Sequence, residues 1–268
     1  MSVPNPTPVH PTIIAKSSVR AGGRFGPGWG ARKTKWRIYA LALKHLLSQI
    51  PRTFGTGPRN CPVCEKKGQF FAFGMPLRLD AICSHCGSLE RHRQMALWLA
   101  RNQQHWATRR VLHFAPDAAI QAILRVKAGY YIGADIVPAP GCRVLDIEAL
   151  ALDDSSVDVI VCSHVLEHVD DTKALLELRR VLTTGGIALI MVPVIHGWTS
   201  TYENATVITP QQRIQHFGQD DHLRYFGDDI ENRITAAGFD VTKMTAQEPD
   251  CMTYGLIRGD TLYVATAR

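Results

Sequence analysis

The stretch that decides the fold is residues 144–194, VLDIEALALDDSSVDVIVCSHVLEHVDDTKALLELRRVLTTGGIALIMVPV. Within it, residues 157–162 (VDVIVC) are apolar on both sides of Asp158 and rich in β-branched side chains, as a strand covered on both faces of a parallel sheet requires. Ser163 and His164 follow at its carboxyl end. From Asp171 onward, Ala174, Leu175, Leu178, Val181 and Leu182 recur at helical spacing; Asp170 or Asp171 is the expected cap and Gly185-Gly186 the expected stop. Residues 187–194 then read as a second buried strand. Strand, helix and strand in this order require a right-handed parallel crossover, and open sheets built this way bind ligands outside the carboxyl ends of their strands. Ser163, His164 and the residues after Val194 are therefore expected to face a site.

The ordered pattern D-I-E-A-L-x-x-x-D-x-S-x-D-V-I-V-C-x-H-V-L-E-H-V, followed by E-L-R-R-V-L-x-x-G-G, resembles the central motifs of class I S-adenosylmethionine (SAM) dependent methyltransferases. The likeness extends over residues 107–268. It is nearest to a bacterial subgroup that joins a cysteine-rich segment to this fold and carries a later F-G-Q-x-D-H-x-R-x-Y/F-G motif, here residues 217–227. The resemblance implies a Rossmann-like α/β fold with a seven-stranded, mostly parallel sheet, helices on both faces and an antiparallel last strand at residues 261–267. Residues 228–237 are expected to form a helix ended by Gly238, and residues 239–244 a strand.

The chain has 268 residues and 46% hydrophobic content, enough for one full core and a small satellite. No stretch approaches the ~20 apolar residues of a spanning helix, and the best candidate, residues 38–47, is interrupted by Lys44 and His45. A cytoplasmic enzyme is expected. The net charge of +6 is unevenly placed, because ten Lys and Arg residues precede the first acidic one, Glu65. The expected organisation is a basic arm over residues 1–57, a zinc ribbon with a linking helix over 58–105, and a methyltransferase domain over 106–268 with an insertion at 199–227. In the arm, the Pro- and Gly-rich residues 1–30 read as disordered, and residues 34–50 as a basic amphipathic helix. Attachment to an anionic membrane surface or a polyanion is one reading of that helix; packing on the body with a solvated basic face is another, and an organellar transit peptide a third.

Cys61, Cys64, Cys83 and Cys86 form C-x2-C-x18-C-x2-C, the spacing of a zinc ribbon with four thiolates and no open coordination position. A structural Zn2+ is expected rather than a catalytic one; two disulfides or a redox pair are the competing readings. His85 lies inside the second pair, where it could replace a ligand. Residues 88–100 read as a helix tying the ribbon to the body, with Arg91 and Arg93 on an interdomain or solvated face, or touching nucleic acid.

The resemblance puts the SAM cofactor against His113, Phe114, Ala115 and Asp117 of the first loop, Asp135 and Ile136 at the end of the second strand, Asp146 and Ile147 at the adenine edge, and Ser163. The first loop departs from the family's acid followed by G-x-G, since His113-Phe114-Ala115-Pro116-Asp117 has no glycine. Pro116 is expected to open the next helix, and Asp117 to cap it or hold the methionine ammonium. A general base is needed only for a protonated acceptor. His222 of the insertion is favoured, with His164 and Asp221 as further catalytic candidates, against a structural network of Asp221, His222 and Arg224. The absence of N-P-P-aromatic at residues 162–165 points to O-methylation of a glycan, lipid-linked sugar or small metabolite. An rRNA base methyltransferase using the ribbon to hold RNA is the rival enzyme, and a non-catalytic binding protein the rival outside enzymology.

Overall fold

The computed structural model describes residues 55–74 and 76–268. The arm's expected disorder and basic helix lie outside these residues. Described first in chain order is a three-stranded antiparallel sheet of β1 (Pro58–Asn60), β2 (Lys67–Phe73) and β3 (Arg78–Cys83). Cys61 and Cys64 lie in the turn after β1, Cys83 ends β3 and Cys86 lies in the turn after it; the two turns are closed by bonds from Glu65 N to Cys61 O and from Gly87 N to Cys83 O. The sheet's small core holds Cys61, Phe70 and Cys83.

Helix α1 (Glu90–Arg101) ties this unit to the larger sheet, because it is buried nearly all round. Met95, Ala96, Trp98 and Leu99 join one core cluster and Leu97 another, while the Gln94 amide donates to Met244 O and Asp260 O across the chain. A short helix, α2 (Gln103–Trp106), follows.

The main sheet then alternates strand and helix: β4 (Arg110–Phe114), α3 (Ala118–Lys127), β5 (Tyr130–Asp135), β6 (Cys142–Val144), β7 (Val157–Ser163), a 3-10 turn at Leu166–His168, α4 (Asp171–Val181) and β8 (Leu182–Met191). Strands β4 to β8 pair in parallel. Successive side chains go to opposite faces: Val111, Val159, Val161 and Leu189 pack under α1 and α3, whereas Leu112, Phe114, Ile160, Cys162 and Ile190 pack under α4. Both faces are covered, so these strands are apolar throughout rather than alternating.

Three boundaries differ from expectation. Helix α4 stops at Val181, with Leu182 already extended, so Gly185-Gly186 does not end it. The pair lies instead in an irregular entry to β8, where the register with β7 moves from Val157↔Leu182 to Val159↔Ile187. A Cβ at Gly186 would meet Thr183 O at 2.8 Å and Asp158 O at 2.9 Å, so only glycine fits between the two carbonyls. β8 also ends at Met191, before Val194.

The segment after β8 contains β9 (Tyr202–Glu203), α5 (Pro210–Phe217) and β10 (Arg224–Tyr225). Thr209 and Gln212 form a capping box on α5, and Gly218 ends it at φ +78°. Arg224 fastens this segment to the body, donating to Leu166 O and Val169 O and pairing with Asp171 and Glu203. Helix α6 (Ile230–Ala236), β11 (Phe239–Thr245), α7 (Asp250–Tyr254) and β12 (Thr261–Ala267) complete the chain. Strand order is β11-β12-β8-β7-β4-β5-β6, with β12 antiparallel to both neighbours. The seven-stranded, mostly parallel sheet and its antiparallel last strand agree with the sequence reading. Among the described residues no helix is long and apolar enough to cross a membrane.

Candidate active site

Two cavities open near the carboxyl ends of the central strands. One, of about 580 Å³, is lined by Phe114 and Ala115 after β4, Asp135 and Ile136 after β5, Asp146 and Ile147 beyond β6, and His164, His168, Arg213 and Asp221. The other, of about 670 Å³, is lined by Arg78, Glu90, Arg91, His164, His222 and Asp260, together with Phe217, Gln219 and Tyr225 of the segment after β8. Both volumes suit a small-molecule ligand. His164 borders both cavities.

Strand ends explain this placement. At Ala115 and at His164 the backbone turns into the left-handed region, φ +42° and +57°, immediately beyond β4 and β7. Such values are uncommon for residues with a Cβ and cluster where a chain must turn sharply at a site. The glycine-free loop thus makes its turn through alanine, the smallest side chain after glycine. His164 is held by Met191 O, which accepts from its N–H at 2.8 Å, and by Glu167 Oε1, 3.1 Å from its Nδ1. Glu167 is buried and stands three residues on, across the 3-10 turn.

Asp135 Oδ1 accepts from Val137 N at 3.1 Å, and Asp146 Oδ1 from Glu148 N at 2.9 Å. Each aspartate therefore shapes its own loop while lining the cavity. Three expected cofactor contacts are not brought there. His113 points to the opposite face of the sheet, where it is buried and its Nδ1 lies 3.1 Å from the Tyr131 hydroxyl. Burial lowers its pKa to about 4, so it is a neutral structural group. Asp117 is the N-cap of α3, accepting from Ile120 N at 2.9 Å, and Pro116 precedes that cap instead of opening the helix. Ser163 stays in β7 opposite Met191 and lines neither cavity.

His222 is buried, its pKa lowered by desolvation, and it borders the larger cavity. Asp221 and Arg224 do not form the expected network with it: Asp221 pairs with His168 at 3.2 Å, and Arg224 turns to Asp171 and Glu203. Arg91 lines the larger cavity. Arg93 lies wholly inside the protein and offers nothing to a nucleic acid.

The four cysteine thiols lie within 4.8 Å of one another. Cys61 Sγ is 3.6 Å from Cys86 Sγ, and Cys64 Sγ is 3.9 Å from Cys83 Sγ. Tetrahedral zinc with bonds of about 2.3 Å spaces its sulfurs about 3.8 Å apart, whereas a disulfide needs about 2.05 Å. The donor set fits zinc. His85 is not in this cluster and stacks against Gly68.

Sequence reasoning missed Glu167, Arg213, Arg78, Glu90 and Asp260. Only Glu167 left a local signal, its spacing of three from His164 beside a strand end.

A methyltransferase domain family matches residues 127–190, from the end of α3 to Ile190 in β8. That match, over about a quarter of the chain, marks residues 127–190 as similar to a methyltransferase domain. Solved structures similar to this chain include a SAM-dependent methyltransferase from Mesorhizobium loti, at 15% identity over 65% of this chain and 98% of that one, TM-score 0.46. The YcgJ protein of Bacillus subtilis is similar at 14% identity over 66% and 99%, TM-score 0.45. So is the 1,6-didemethyltoxoflavin-N1-methyltransferase of Burkholderia thailandensis, solved with 1,6-didemethyltoxoflavin and S-adenosylhomocysteine, at 17% over 65% and 76%, TM-score 0.44. Likeness at this level assigns no residue here a role. No curated relative matches the sequence.

Proposed function

We propose that this methyltransferase moves the methyl group of SAM to a hydroxyl of a small polar acceptor, a sugar, lipid-linked sugar or comparable metabolite, held in the 670 Å³ cavity. The observation that carries the reading is His164, which borders this cavity and the 580 Å³ one that we assign to the cofactor. Bound SAM supplies a methyl carbon made electrophilic by its sulfonium. In-line displacement at that carbon forms the oxygen–carbon bond as the sulfur–carbon bond breaks, leaves S-adenosylhomocysteine and rests mainly on alignment and exclusion of water. The hydroxyl proton passes to His164, whose Nδ1 is paired with Glu167.

In this reading Asp135 accepts from the ribose hydroxyls, and Asp146 with Ile147 meets the adenine edge. Ile136, 64% exposed at the cavity wall, supplies an apolar face for the ring. Arg213, whose buried Nε has no partner, faces the methionine carboxylate. Across His164, Arg78, Glu90, Arg91, Gln219 and Asp260 offer hydrogen bonds to a hydroxylated ligand, and Phe217 and Tyr225 offer flat apolar surface. Arg78 comes from the cysteine-bearing sheet and Glu90 from α1, paired at 2.8 Å, so that unit, stabilised by a structural Zn2+ on its four thiolates, serves as a wall of the acceptor site.

Incubation with methyl-labelled SAM, followed by separation of RNA, protein, lipid and glycan fractions, tests the acceptor class. Label is expected in glycan, lipid or small-molecule fractions; label confined to RNA would overturn the proposal. His164→Ala is expected to leave SAM affinity unchanged and lower transfer about 10²-fold, the cost of losing acceptor alignment. Asp135→Ala should weaken binding of SAM and of its demethylated product alike by about 1.5 to 3 kcal/mol in a calorimetric titration, through lost hydrogen bonds to a carboxylate. Unchanged affinity would remove Asp135 from the cofactor site.

A further inference from the structure

We propose that Glu167, His168 and His222 bind a divalent transition-metal ion, separate from the zinc of the four cysteines. Each residue offers a ligand atom, and these atoms lie within 4.8 Å of one another. Metal bonds of about 2.1 Å space tetrahedral ligands about 3.4 Å apart, so the cluster closes on an ion by small side-chain rotations.

The stronger observation is what these groups lack. Glu167 is 1% exposed, and while its Oε1 faces His164, its buried Oε2 has no hydrogen-bond partner. His222 is 4% exposed, and its buried Nδ1 has no partner either. A buried polar atom left unsatisfied costs about 1 to 3 kcal/mol, and more on a carboxylate. Two such atoms in one cluster, a carboxylate oxygen and an imidazole nitrogen, have a cation as their natural shared partner.

His168 completes the set. Its Nδ1 lies 3.2 Å from Asp221 Oδ2, which leaves Nε2 as its ligand atom, and its ring stands edge-on to that of His222 with centroids 4.7 Å apart. A carboxylate behind a histidine is the usual means of fixing the tautomer and orientation of a metal ligand. The backbone holds the groups in place: Leu223 N donates to Glu167 O at 2.8 Å, and Arg224 binds the carbonyls of Leu166 and Val169. Two imidazoles and one carboxylate suit Zn2+, Fe2+, Co2+ or Mn2+; calcium and magnesium prefer all-oxygen sites, and Cu(I) prefers sulfur.

Three protein ligands leave positions open. His222 borders the acceptor cavity and His168 the cofactor cavity, so those positions lie between the two. There, resting on the acceptor reading above, the ion would polarise the acceptor hydroxyl. The metal site itself does not depend on that reading.

The test is metal stoichiometry of the full chain dialysed in turn against excess Co2+, Zn2+ and Mn2+. Wild-type protein is expected to hold one ion more than either His222→Ala or the near-isosteric Glu167→Gln. In the cobalt form, intense sulfur-to-metal absorption from the four-thiolate site should be the same in all three proteins. The second ion should add only weak ligand-field bands and raise the melting temperature of wild type alone. Equal metal content in wild type and both variants for all three ions overturns the proposal, whatever the acceptor proves to be, and identifies the two orphaned atoms as water ligands.

Discussion

Replacing Cys61 or Cys86 by serine is expected to strip one zinc ion from each chain and to melt residues 55–89 while the smaller cavity, proposed for SAM, persists. The three-stranded sheet has almost no core of its own, since only Cys61, Phe70 and Cys83 are buried together within it. Units so small usually depend on a bound metal, and a structural zinc contributes on the order of 10 kcal/mol at neutral pH. A serine hydroxyl does not replace a thiolate ligand. The consequences divide between the cavities: the larger draws Pro76 and Arg78 from this unit, whereas every residue lining the smaller lies at or beyond Phe114. Methyl transfer should therefore be lost with SAM binding retained. Elemental analysis, limited proteolysis and calorimetry with SAM check the three parts. Metal-free protein that resists protease as wild type does would show that zinc is not the fastener.

Arg93→Met is expected to destabilise the protein by roughly 3 to 5 kcal/mol in denaturant unfolding, the usual cost of opening a buried charged network. Arg93 is 0% exposed, and its five N–H donors go to five backbone carbonyls: Tyr254 at 2.7 Å, Ala81 at 3.1 Å, Ser88 at 2.6 Å, Asp80 at 2.9 Å and Gly255 at 2.5 Å. The guanidinium also lies over the Phe70 ring, 4.5 Å from its centroid. Methionine fills much of the volume but removes a donor from all five carbonyls; Ser88 O still accepts from Cys83 N at 3.0 Å, and a buried carbonyl left with no partner costs about 1 to 3 kcal/mol. Lysine, with three donors on one nitrogen, should recover only part of the loss. Arg93→Met with wild-type stability would mean that these carbonyls find water, and that the arginine is not the joint between the cysteine-bearing sheet and the body.

Arg93 shows where the sequence is mute. On a helix of mixed polarity an arginine reads as a surface residue, and nothing within residues 88–100 announces carbonyls from positions 80, 81, 254 and 255. His113 fails for another reason. A strand buried on both faces lacks the apolar-polar alternation that reveals which way each side chain points, so β4 identified a loop at its end without saying that His113 faces away from it. Gly185-Gly186 misled because a glycine pair after a helical pattern reads as a stop, while here the requirement for glycine comes from the Asp158 carbonyl on the neighbouring strand.

What the sequence determined by itself was whatever depends on near neighbours in the chain. The strands and helices of the main sheet follow from runs and periods a few residues long, their order leaves little choice of topology, and each cysteine pair is closed by its own turn. The tertiary structure alone decided which distant groups meet: Arg78 and Glu90 with Asp260 around the larger cavity, and Glu167 and His168 with His222 between the cavities. Those meetings arise from burial and from hydrogen bonds between segments as distant in the chain as those of Arg78 and Asp260, and such long-range pairings leave no period or spacing to read.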